Sequence, residues 1–156
     1  MNSRVSKPGY SLFSYVLLQF IMHNGKANFM KSLLTVTAVF EGATGLALIA
    51  IPSIIVPMLL GIPFSDDTLH VVSGITGAAL IALGMACWLS RNSGPQAAVI
   101  LKSILGYNIL ASLILLYAAL GLSLSGMGLW PVIVVHIGLA IWCIIALQTY
   151  GKQKQL

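Results

Sequence analysis

The chain has 156 residues, of which 58% are hydrophobic and only 7% are charged. Soluble domains carry charged residues at about a quarter of their positions, so this composition excludes an ordinary soluble protein. The formal net charge of +5 does not indicate a nucleic-acid partner, because the Lys and Arg residues lie beside apolar segments, as in membrane proteins.

The N-terminal extension, residues 1–29, allows two interpretations. Arg4 and Lys7 precede an apolar run over residues 12–22 that resembles a signal peptide, but polar residues interrupt the run and no small-residue cleavage site follows it. The run is also too short to cross a bilayer. It predicts either an interfacial helix on the inner surface or a poorly ordered extension ahead of a natural start at Met30.

Four apolar segments follow, and each is long enough to cross a membrane as a helix. They cover residues 32–51, 70–89, 97–120 and 129–147. About 20 residues suffice, because a helix rises about 1.5 Å per residue and the hydrocarbon core is about 30 Å thick. Short connections make sequential helices antiparallel neighbours. We therefore predict an all-α integral membrane protein: an up-down four-helix bundle over residues 30–150, followed by a cytoplasmic tail over 151–156.

The connection after the first span is broken by prolines. Pro52, Pro57 and Pro63 bracket an apolar stretch that is too short to cross the membrane, which predicts a short helix or turn at the outer surface. The segment 65–67, Ser-Asp-Asp, predicts an N-terminal cap for the second span.

The distribution of basic residues predicts the orientation. All of them lie near the termini or the turn between spans two and three: Arg4, Lys7, Lys26, Lys31, Arg91, Lys102, Lys152 and Lys154. The connections 52–69 and 121–128 contain none. The positive-inside rule therefore predicts a multi-pass protein of the cell inner membrane with both termini in the cytoplasm.

Three strongly polar residues lie near the middle of different spans. Glu41, Asn108 and His136 come out at roughly 15 to 20 Å from the cytoplasmic side when depth is counted at 1.5 Å per residue. Thr37 and Thr44 lie on the same helix face as Glu41. A carboxyl group at such a depth costs a few kcal/mol and marks a functional hypothesis.

Two hypotheses follow for this cluster. In the first, a neutral Glu41 hydrogen-bonds Asn108 or His136 and only holds helices together. In the second, the cluster is a proton relay or a pocket for a small ligand such as a quinone head group, in which Glu41 and His136 exchange a proton and Asn108 orients them. Tyr107 is a further candidate for this pocket, but it lies about 100° around the helix from Asn108, which favours a packed core aromatic.

Spans one and two share a glycine pattern. Gly42-Ala-Thr-Gly45 and Gly74-Ile-Thr-Gly77 are each followed by nearly the same apolar residues. Small residues let two helices approach closely in a membrane. We therefore predict Gly42, Gly45, Gly74 and Gly77 as helix-packing residues, with Gly45 facing Gly77.

The segments Phe40 to Pro52 and Gly74 to Trp88 resemble those of the DoxX-like group of small bacterial four-helix membrane proteins. The resemblance covers about residues 31–150 and rests on helix count, glycine placement and length. It implies a four-helix bundle in the bacterial inner membrane, sometimes associated with quinone-linked redox systems. It transfers no functional residue to this chain.

The sequence contains no nucleotide-binding loop, zinc-protease motif or serine-nucleophile motif. We therefore predict no catalytic residue, no metal site and no cofactor, and an enzyme is less expected than a protein without catalytic activity. The leading hypothesis is a small inner-membrane accessory or scaffolding protein whose partners are the lipid bilayer and either other membrane subunits or a second copy. The alternative is a quinone-like ligand site or proton relay at Glu41, Asn108 and His136.

The predicted orientation has a direct test. A topology reporter fused after Lys154 should report a cytoplasmic location, and one inserted at Ser65 an external location, because only the connections outside the cytoplasm lack Lys and Arg. The opposite pair of results would contradict the orientation.

Overall fold

The computed structural model describes residues 12–93 and 95–151, and all regular structure in these residues is helical. The helices are α1 (Leu12–Ala50), α2 (Pro52–Leu60), α3 (Asp67–Ser90), α4 (Pro95–Leu120) and α5 (Leu129–Gly151). Four of them contain segments long and apolar enough to cross a membrane: Asn28–Ala50, Asp67–Ser90, Gln96–Leu120 and Leu129–Tyr150. The all-α class is confirmed, and these segments match the four predicted spans to within a few residues at each end.

Helix α1 is longer than the first predicted span. It runs without interruption for 39 residues from Leu12 to Ala50, and no proline breaks it. Residues 12–29 are therefore the first part of the same helix that contains the first predicted span. The predicted cytoplasmic tail beyond residue 151 and the first 11 residues lie outside the described part of the chain.

The connection from α1 to α3 contains the short helix that the prolines predict. Helix α2 begins with Pro52. Proline is favoured at the first position of a helix, because a backbone N–H there would have no partner within the helix. Helix α2 ends at Leu60 and is followed by Gly61, which adopts a left-handed conformation with φ of 72°. The predicted cap of the next helix is confirmed: the Asp66 side chain accepts a hydrogen bond from the backbone N–H of Thr68 at 3.0 Å.

The most extensive packing occurs within two helix pairs, α1 with α3 and α4 with α5. In the first pair the backbones touch: a methyl group placed on Gly45 would lie 2.5 Å from the carbonyl oxygen of Gly77, and the reverse placement gives the same distance. One placed on Gly84 would lie 2.9 Å from the carbonyl oxygen of Ala38. A methyl group placed on Gly42 or Gly74, in contrast, would have no neighbouring atom within 4 Å.

The two pairs are joined to each other at both ends. At the end where α5 finishes, a buried apolar cluster joins all four long helices: Leu33, Leu34, Cys87, Leu101, Ile104, Leu139 and Cys143. At the opposite end the backbone N–H of Gly128 donates a hydrogen bond to the Met58 carbonyl at 2.8 Å. This bond holds α2 against the beginning of α5.

The close contact in the first pair predicts different effects for two glycines of α3. Gly77→Leu should lower the melting temperature in detergent, because the new side chain would overlap the backbone of α1 and overpacking costs about 1–3 kcal/mol. Gly74→Leu is the matched control and should leave the melting temperature nearly unchanged, since its side chain would extend into open space. Equal effects of the two substitutions would contradict this packing.

Candidate functional site

The carboxyl group of Glu41 joins the two helix pairs near the middle of the helices. Glu41 is only 1% exposed, and its Oε2 accepts a hydrogen bond from the Tyr107 hydroxyl at 3.2 Å. Glu41 lies on α1 and Tyr107 on α4, so this bond connects helices of different pairs. The other carboxyl oxygen, Oε1, is buried and has no hydrogen-bond partner among the described residues.

A second set of hydrogen bonds joins α4 to α5 at the same level. Asn108 is fully buried, and its side-chain Nδ2 donates to the Ile104 carbonyl one turn earlier at 2.8 Å. Its Oδ1 lies 2.9 Å from Nδ1 of His136, which is itself only 5% exposed. The Ser112 hydroxyl donates to the backbone carbonyl of Asn108 at 2.7 Å. The polar residues of α4 therefore form a connected network with α5.

Tyr107 has a larger role than the sequence suggested. It packs against the buried apolar cluster of Leu48, Val56 and Leu80, as expected. In addition, its hydroxyl donates to Glu41, and its ring lies edge-on to the His136 ring, with 5.6 Å between centroids. The 100° offset from Asn108 is the physical reason. It lets adjacent residues of α4 face different helices, Asn108 facing α5 and Tyr107 facing α1.

These residues lie at the wall of a large cavity between the helix pairs. The cavity has a volume of about 1220 Å³, and its walls are formed by residues of all five helices. Most of the wall is aliphatic, and the polar side chains on it are Thr35, Glu41, Thr44, Thr76, Tyr107 and His136. Several lining residues at the rim are exposed on the protein surface: Val39, Ile75, Leu110 and Ile114. The cavity is therefore open to the outside of the helix assembly.

The five predicted ligand or relay candidates occupy different places around this cavity. Glu41, His136 and Thr44 line it, whereas Asn108 reaches it only through its bond to His136. Thr37 is completely buried, and its hydroxyl oxygen has no hydrogen-bond partner among the described residues. The hydrogen bonds of the described residues do not join Glu41 directly to His136, and Tyr107 contacts both of them.

The wall of the cavity carries few ionisable side chains. The lining includes no Lys, Arg or Asp, so the Glu41 carboxyl is the one carboxyl group on the wall and the His136 imidazole the one basic group. In the described part of the chain, no group of three His, Cys, Asp or Glu side chains comes close enough to hold a metal ion. The arrangement is suited to an uncharged molecule with a large apolar part and a small polar part.

The bond between the helix pairs predicts different effects for two tyrosines of α4. Tyr107→Phe should lower the melting temperature in detergent, because it removes the hydrogen bond of a buried carboxyl group, a loss of about 1–3 kcal/mol. Tyr117→Phe is the matched control and should have little effect, since Tyr117 is 64% exposed. Equal melting temperatures for the two variants would contradict a structural role of the bond.

Comparisons of the chain with protein-family models, with curated proteins and with solved structures found no match. The resemblance to the DoxX-like group therefore remains a prediction from the sequence.

Proposed function

We propose that this protein binds a lipophilic small molecule, with an apolar tail and an uncharged hydrogen-bonding head group, in the cavity between its two helix pairs. The observation that carries the proposal is the cavity of about 1220 Å³. Its walls are mostly aliphatic, and a compact polar cluster lies at one place on them. A ligand of this kind would place its tail along the aliphatic wall and its head group beside Tyr107 and His136.

The size and chemistry of the cavity support this proposal. Small-molecule sites are typically concave and lined mainly by apolar side chains, with a few polar groups that fix the orientation of the ligand. Volumes of roughly 300–1,000 Å³ are usual for drug-sized ligands. The present cavity of about 1220 Å³ has room for a head group and a substantial hydrocarbon tail.

The proposed setting is the bacterial inner membrane, where the four long helices form an up-down bundle with both termini in the cytoplasm. The positions of Lys and Arg support this orientation. In that setting the exposed rim at Val39, Ile75 and Ile114 would face lipid, and a hydrophobic ligand would enter from the bilayer. The polar cluster would lie near the middle of the hydrocarbon core, where polar residues most often serve a function.

A proton relay between Glu41 and His136 has less support than ligand binding. The Tyr107 hydroxyl donates to Glu41, but no hydrogen bond among the described residues continues from this hydroxyl to His136. Its ring meets His136 through an edge-to-face aromatic contact and not through a hydrogen bond. Asn108 orients His136, as the sequence suggested, but does not touch Glu41 in the described hydrogen bonds.

A second candidate is the accessory or scaffolding function that the composition suggests. The observation in its favour is a shallow groove of about 400 Å³ along α1 and α3. It is lined by small and apolar residues that include Ala38, Gly42 and Gly84. Small residues allow close approach of another helix in a membrane. This groove lies on the first helix pair, apart from Tyr107 and His136.

Ligand binding can be tested with two adjacent alanines of α3. Ala79 lines the cavity and Ala78 does not, and both are exposed. Ala79→Trp should weaken binding of the lipophilic probes decylubiquinone and 4-nonylphenol about tenfold or more, because the indole would occupy the space of the ligand. Binding is measured as probe retained by protein-containing lipid nanodiscs, with empty nanodiscs as the control for partition into lipid.

The matched variant Ala78→Trp should bind both probes like the unmodified protein. The ligand proposal would be contradicted if neither probe is retained above the empty nanodiscs, or if the two substitutions have the same effect. In that case the accessory function would become the better supported candidate.

A further inference from the structure

The orientation of the Asn108 side-chain amide is fixed by its two contacts. Nδ2 lies 2.8 Å from the Ile104 carbonyl, to which it donates. A flipped amide would place Oδ1 against that carbonyl, and two acceptors at this distance would repel each other. Oδ1 must therefore face His136, and it can only accept a hydrogen bond there.

The orientation of the amide in turn fixes the tautomer of His136. Nδ1 of the imidazole lies 2.9 Å from Oδ1 of Asn108, so Nδ1 must carry a proton and donate it. A neutral imidazole carries one ring proton, and its other nitrogen, Nε2, then holds a free lone pair. Nε2 has no partner among the hydrogen bonds of the described residues, although His136 is only 5% exposed. The cavity wall thus contains a hydrogen-bond acceptor that no described residue uses.

The other groups at this place do not satisfy the Nε2 acceptor. The Tyr107 hydroxyl donates to Glu41, and its ring meets the imidazole edge-on. Phe40 also lies edge-on to the His136 ring, with 6.1 Å between centroids, and has no polar atom to offer. The Thr35 hydroxyl donates to the Lys31 carbonyl in its own helix. Oε1 of Glu41 makes no hydrogen bond among the described residues, so it does not pair with Nε2 either. None of these neighbours donates to Nε2, which leaves this nitrogen available to a donor on a bound molecule.

We infer that the head group bound in this cavity is a hydrogen-bond donor, an uncharged phenol or alcohol that donates its hydroxyl proton to Nε2 of His136. This inference rests on the proposed function and specifies its ligand class. A head group with carbonyl oxygens only, such as a quinone, would leave Nε2 unpaired, whereas the corresponding quinol would satisfy it. An anionic head group is disfavoured because the lining includes no Lys or Arg.

The inference is tested with two probes that differ only in the hydroxyl proton. In 4-nonylanisole the phenol hydrogen of 4-nonylphenol is replaced by methyl, so the tail, the ring and the acceptor oxygen are kept. We expect nanodiscs that contain the protein to bind the phenol on the order of tenfold more tightly than the ether, because the ether has no proton to donate to Nε2 and loses that hydrogen bond. Empty nanodiscs correct for the different partition of the two probes into lipid.

A variant identifies the acceptor. In His136→Phe the preference for the phenol should fall to about that of empty nanodiscs, while His70→Phe, at an exposed histidine, should keep the preference of the unmodified protein. The ratio of the two affinities within one variant is insensitive to a general loss of binding. Equal binding of both probes by the unmodified protein would overturn the head-group inference and leave the cavity proposal standing. Binding of neither probe would mean that the proposed function itself has failed.

A second measurement needs no substitution and remains decisive if His136→Phe does not fold. Nitrogen-15 NMR of the histidine-labelled protein should show His136 protonated at Nδ1 and unprotonated at Nε2, and the Nε2 signal should shift when 4-nonylphenol is added. A resonance of the opposite tautomer, or an Nε2 signal that 4-nonylphenol leaves unchanged, would overturn the inference.

Discussion

The hydrogen bond between the Tyr107 hydroxyl and the Glu41 carboxyl is the interaction on which the middle of the molecule depends. A carboxyl group among apolar helices has no water to bind, and leaving it without a partner costs several kcal/mol. Helix α1 must therefore lie where α4 can supply a donor. Because α1 packs mainly on α3 and α4 mainly on α5, this one bond connects two helix pairs at their middle.

The cavity follows from the way in which the pairs are joined. Buried apolar side chains such as Leu34, Leu101 and Cys143 fill the space at one end, and the bond from Gly128 to Met58 closes the other. Between the two ends the pairs meet at the hydrogen bond from Tyr107 to Glu41 and at the edge-on contact of Phe40 with His136, and a gap of about 1220 Å³ remains. The same residues that prevent the helices from separating therefore present hydrogen-bonding groups to this gap. Glu41 and Tyr107 can therefore join the helix pairs and line a ligand site at the same time.

Some features of the fold are local enough to be predicted from the sequence. The positions of the four long helices depend on runs of apolar residues, and the Asp66 cap depends on a contact two residues away, so both were predicted correctly. The role of Tyr107 was not, because it depends on how α4 is rotated relative to α1. The contact of Gly84 with Ala38 was missed for a similar reason, since it requires the relative shift of α1 and α3. The cavity is a property of the space between helices, and no single segment encodes it.

A structure of the protein in lipid nanodiscs, determined experimentally after purification from its native membrane, tests the central claim most directly. We expect elongated density in the cavity between the helix pairs, with its head group within hydrogen-bonding distance of His136 and with Tyr107 still bound to Glu41. A closed gap between the pairs, or a Glu41 side chain that faces lipid away from Tyr107, would contradict the account.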